Sequence, residues 1–140
     1  VSEPQQIFAA IAAGVANAPE RGLALLQPIV DRGPRPTYAL LCSLAEAASH
    51  TAREQPGDFF GIELESVTTG EPGSIEELPP QIRFAAQFVT AWANRDHDTA
   101  HGLFTALAAT EHLATGIGAV YDMAVATARN IVDAQRQGRP

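Results

Sequence analysis

Leu113-Ala114-Thr115-Gly116-Ile117-Gly118-Ala119-Val120-Tyr121-Asp122-Met123-Ala124-Val125-Ala126-Thr127-Ala128-Arg129-Asn130-Ile131 sets the fold class of this chain. Leu113, Ile117, Val120, Ala124, Thr127 and Ile131 recur in steps of 4, 3, 4, 3 and 4. That is the spacing of one helix face, close to the heptad of a packed helical seam. Alanine, the strongest helix former, fills much of the space between them. The run predicts a long last helix, capped by Thr110 and reaching about residue 135. Beyond it Gln137-Gly138-Arg139-Pro140 is expected to fray.

The same period recurs upstream. Asp96 is placed to cap a fifth helix carrying Ala100, Leu103, Phe104 and Leu107 inward. Ile82, Phe84, Ala85, Phe88, Val89 and Trp92 give a wide stripe for a fourth helix, from Pro80 to near Asn94. At the N-terminus, Ser2 and Gln5 form a capping box for a first helix over 3–16, with Ile7, Phe8, Ile11, Ala12 and Val15 at helical spacing. Pro19 opens a second helix over 19–32 with a Leu23, Leu26, Val30 stripe, and Pro28 should kink or shorten it. Gly33-Pro34-Arg35-Pro36 reads as a firm stop, with Thr37 capping a third helix to about Glu54. Between the helical stretches, Phe60, Ile62 and Leu64 alternate with Gly61, Glu63 and Glu65, a period of two. A single strand has no partner here, so residues 55–79 are expected as a long, partly extended central connection. The predicted class is all-α: six helices in one domain, 1–140, as two three-helix units over about 1–54 and 80–137.

Those halves echo each other. Gly22-x-x-Leu25-Leu26 matches Ala100-x-x-Leu103-Phe104, 78 positions on. Ala16-Asn17 matches Ala93-Asn94 with one residue of slippage, and Tyr38, Leu41, Leu44 and Ala45 match Ile117, Val120, Met123 and Ala124. A small residue followed by two large ones lets one helix start close to its neighbour. Asn94-Arg95-Asp96 followed by Ala100-His101-Gly102-Leu103-Phe104 resembles the turn of tetratricopeptide-like helical hairpins. The resemblance covers about fifteen residues per half, and the spacing of the copies departs from the repeat of roughly 34 residues in that family. It implies a helical-hairpin architecture and no functional residues.

Composition excludes several classes. The chain has 140 residues, 46% hydrophobic and 18% charged, which suits a folded core rather than disorder. Its nine basic residues are all arginine, against sixteen acids, for a net charge of -7. Phosphate backbones and anionic membranes repel such a surface, so neither nucleic acid nor membrane is an expected partner. Neither a membrane-spanning run nor a secretory leader is visible, and a cytoplasmic location is expected. The alanine- and arginine-rich usage resembles that of high-GC bacteria. Cys42 is the only cysteine, so no internal disulfide forms, and its apolar helical setting reads as a small buried hydrophobe.

The richest chemical cluster is Asp96-His97-Asp98-Thr99-Ala100-His101. His97 and His101 are four apart and share a helix face; with His112 or Glu111 at the next helix start they could form three metal ligands. The competing assignment makes Asp96 a cap, Asp98 a dipole partner and both histidines solvated. Glu63/Glu65 and Glu76/Glu77 read as solvated faces rather than a cross-cleft acid–base pair. Gly70-Glu71-Pro72-Gly73-Ser74 lacks the lysine of a phosphate loop. Gly116 and Gly118 within a helix read first as close packing and second as a point of ligand approach. No catalytic set emerges, and no cofactor is expected. The expected function is a non-enzymatic interaction domain, self-associating as a homodimer or adaptor-like. Its contact surface is expected around Phe59, Phe60, Ile62, Leu64, Trp92 and Tyr121. The alternative is a metal-binding protein or metal-dependent hydrolase using His97, His101 and His112.

Overall fold

The computed structural model describes residues 3–49 and 79–137. Six helices make up this part: α1 (Glu3–Val15), α2 (Pro19–Val30), α3 (Pro34–Ala48), α4 (Pro80–Ala93), α5 (His97–Ala108) and α6 (Leu113–Gln137). Among the described residues there is no strand. The all-α class is therefore the observed one. The alternating Phe60–Leu64 stretch lies outside the described residues.

The two tight hairpins, α1–α2 and α4–α5, end their first helices identically. Asn17 (φ 68°) and Arg95 (φ 61°) both take the left-handed conformation. The Asn17 amide donates to the Gly14 carbonyl at 3.0 Å and the Ala18 amide to Ala13 at 2.8 Å. Arg95 to Trp92 at 3.0 Å and Asp96 to Ala91 at 2.8 Å repeat the pattern. Both are Schellman turns, which satisfy the last free carbonyls of a helix. Asn enters this conformation easily, whereas Arg meets a Cβ penalty on the order of 1 kcal/mol. The turns equate Asn17 with Arg95, not Asn94, so the 78-residue offset seen between Gly22 and Ala100 extends through the turn without slippage. Gly22 and Ala100 are both buried.

The α2–α3 junction departs from the sequence expectation. Gly33 sits at φ 121° and ψ -176°, a region open essentially to glycine alone. The chain reverses there, and Pro34 begins α3 rather than closing α2. Both Pro34 and Pro36 fall in the first turn, where a helix has no acceptor for their missing N–H. Thr37 is therefore inside the helix, and its hydroxyl donates back to the Gly33 carbonyl at 2.8 Å. α2 stops at Val30 rather than 32, with Pro28 in its last turn. α3 stops at Ala48, capped by Ser49, rather than near 54.

α6 runs through the middle, packing on α3, α4 and α1. α4 also carries α5, and α3 contacts both α2 and α4. The α6 seam faces inward: Ile117, Val120 and Ala124 are buried with Phe84, Phe88 and Val89 of α4 and Leu41, Leu44 and Ala45 of α3. Each large side chain of this set contributes roughly 1.5–3 kcal/mol through burial. The seam is thus covered, over its central residues, by the chain's own helices. Helix α6 also ties down two carbonyl ends. Thr127 donates to the Ala48 carbonyl at 2.9 Å, and Arg129 to the Gly14 carbonyl at 2.9 Å and to Asn17 Oδ1 at 2.7 Å. Among the described residues, no helix is long and apolar enough to cross a membrane.

Candidate functional site

Two surface features hold the candidate residues. The first lies where α3, α4 and α5 meet. Helical spacing aligns Tyr38, Cys42 and Glu46 along α3, and His97 and His101 along α5. The end of α4 sets Trp92 beside them. The His97 ring stacks on Trp92 at 4.8 Å and 12°. The Trp92 indole N–H donates to Glu46 Oε1 at 2.9 Å, and Arg95 reaches the same oxygen at 3.4 Å while lying 5.9 Å over the indole ring. One carboxylate thus aligns an amphipathic ring and a cation whose face and charge attract each other. His101 meets the edge of Tyr38 at 5.2 Å.

The electrostatics of this patch oppose nucleophilic chemistry. Burial pushes the Cys42 thiol up, and a hydrogen bond with Tyr38 only partly offsets it. A thiol held protonated is a weak nucleophile. Burial, and then the neighbouring Cys42, push the Tyr38 phenol up to about 12. Asp96 moves the other way. Hydrogen bonds from the Thr99 hydroxyl (2.6 Å) and amide (3.2 Å) hold its carboxyl below the usual range, as expected of an N-cap.

The histidines are distributed rather than gathered. His97 engages Trp92 and His101 engages Tyr38, while His112 sits in the turn before α6 with its amide donating to Thr110 Oγ1 at 3.1 Å. Among the described residues, no three His, Cys, Asp or Glu side chains come together as metal ligands. Tyr121, named as a contact residue, is fully buried, and its hydroxyl donates to the Ala10 carbonyl at 2.6 Å. It belongs to the core because Gly14 and Gly22 leave room for the phenol between α1 and α2. Trp92 is half-buried in the patch just described. Phe59, Phe60, Ile62 and Leu64 lie outside the described residues.

The second feature is a groove of about 470 Å³ between α2 and the start of α6, which sequence reasoning missed. Leu23, Leu26 and Val30 form one wall, and Leu113, Ala114, Ile117 and Gly118 the other. Leu26 is 1% exposed but Leu23 is 38% exposed, so the α2 stripe is shared between core and groove. The signal was the breadth of that stripe. Leu25 and Ile29 join Leu23, Leu26 and Val30, more apolar surface than one neighbouring helix covers. Gln27 and Glu111 supply the polar lining. One Gln27 amide N–H donates to Asp31 at 2.8 Å, which leaves its second N–H and its carbonyl oxygen to offer. In comparisons with protein-family models, curated proteins and solved structures, nothing matches the chain.

Proposed function

We propose that the chain is a helical interaction domain that holds a protein segment along the α2–α6 groove. The observation that carries this reading is the groove itself, an open apolar channel of about 470 Å³ with the half-open Leu23 on its wall. An apolar groove with a few polar groups at its edge is a form that recognition sites take. The raised Cys42 thiol and the separate aromatic engagements of His97 and His101 supply no coherent catalytic set to compete with it. A cytoplasmic setting belongs to the same proposal and rests on the net charge of -7, which suits it. The test is affinity capture from the native cell with the wild-type chain and with Leu23→Glu, the variant's fold verified by circular dichroism. A partner retained by the wild type and lost by the variant is expected, and equal capture by both would overturn the proposal. Sedimentation at micromolar concentration establishes whether that partner is a second copy: a clean 14.8 kDa monomer excludes the homodimer.

A further inference from the structure

We infer that the occupant of the α2–α6 groove is a basic amphipathic helix of a partner protein, an inference that rests on the interaction reading above. Three observations lead there. The groove walls run along α2 from Leu23 to Val30 and along α6 from Leu113 to Gly118. At 1.5 Å per residue this is roughly 10 Å of apolar wall on α2 and roughly 7 Å on α6, room for about one and a half turns of a docked helix. Next, among the described residues no atom outside its own helix turn lies within 4 Å of the place a Gly118 Cβ would take. Its near neighbour Gly116 differs, since a Cβ there would meet Leu107 at 2.6 Å and Phe84 at 3.2 Å. Packing among the described residues accounts for Gly116 but not for Gly118, although a glycine there costs the helix about 1 kcal/mol relative to alanine. Ala114 lies one turn before it on the same wall, so a partner backbone can approach α6 closely.

Charge selects the partner. Among the described residues, the charged group of the groove lining is the Glu111 carboxylate, and Gln27 holds the Asp31 carboxylate beside the groove. Among the described residues, no basic side chain lines the groove. A second copy would bring another net charge of -7 to a chain of the same sign, whereas lysines or arginines flanking an apolar stripe complement the rim and accelerate encounter.

The test uses an amidated leucine/alanine/lysine peptide of roughly 18 residues, apolar at i, i+3, i+4 and i+7 and fluorescently labelled, and a counterpart with every lysine replaced by glutamate. Fluorescence anisotropy against the full chain should show micromolar binding of the lysine peptide, weakening with salt, and binding at least ~10-fold weaker for the glutamate peptide. Gly118→Leu fills the groove without changing charge and favours the helix, so it should fold and bind the lysine peptide at least ~10-fold more weakly. Glu111→Gln should weaken it about threefold. Absence of lysine-peptide binding overturns the inference, as does equal binding by Gly118→Leu, which would mark attraction to the acidic surface alone. Equal binding of both peptides also overturns it. If a native partner is captured in a Leu23-dependent way yet the lysine peptide does not displace it, the basic helix falls and the interaction domain stands. If nothing is captured through Leu23 either, both fall.

Discussion

At the scale of single residues, Tyr121 organises more than its own position. Its hydroxyl is the point where α1, α2 and α6 come together, and a methyl at Gly22 would run into both that hydroxyl and the Ala10 carbonyl oxygen. Tyr121→Phe is expected to cost about 1 kcal/mol for the lost hydrogen bond. Gly22→Ala is expected to cost about 2 kcal/mol through overpacking. The two are in contact and will not add: Gly22→Ala should be milder in the Tyr121→Phe background, measured by a double-mutant cycle in urea. Tyr38 gives a pH signature. Its pKa is raised to about 12 in the folded chain against an ordinary 10.0. Between those values the unfolded chain loses the proton first, so stability is complete below pH 10 and is lost as pH rises through 12. The melting temperature should fall across that window, and Tyr38→Phe should flatten part of the fall, with Tyr121 and Cys42, both raised by burial, contributing to the rest.

At the scale of elements, sequence period was a good guide to helix existence and a poorer one to helix ends. The stripes of α4 and α6 were legible because spacing and alanine content agree. The start of α3 was not, because Gly33-Pro34-Arg35-Pro36 contains two helix breakers that become helix starters once glycine supplies a positive φ before them. Gly33→Ala should cost on the order of 1–3 kcal/mol from backbone strain alone, since its surroundings are open. The groove was less legible still, since periodicity marks a residue as apolar without saying which neighbour covers it. Leu23 and Leu26 look alike in sequence and differ only after α6 is placed. Within α6, Gly118→Ala should raise the melting temperature, while Gly116→Ala should forfeit that gain against Leu107. At the start of α5, Asp96→Ala should lower the melting temperature more than Asp96→Asn, because asparagine keeps an acceptor for the Thr99 amide.

At the scale of the whole molecule, α6 holds together parts of the chain that are remote in sequence. Thr127 and Arg129, two residues apart, satisfy carbonyls at the ends of α3 and α1 respectively. Arg129 thereby places a cation at the negative end of α1. Thr127→Val and Arg129→Ala should each lower stability by about 1 kcal/mol in chemical denaturation, and their effects should add, because they release different helices. The histidine cluster also changes meaning at this scale. Four residues apart on one helix, His97 and His101 looked like a ligand pair, but α3 and α4 bring each a separate ring. Tyr121 has one more consequence, for biosynthesis. The carbonyl it meets belongs to Ala10, 111 residues earlier. The ribosome adds roughly 5–20 residues per second, so α1 and α2 wait several seconds for the helix that closes over them. Throughout that interval the nascent N-terminal helices expose the apolar surface that α6 will cover. The interval is when a chaperone has most to shield and when a mutation slowing α6 does most harm.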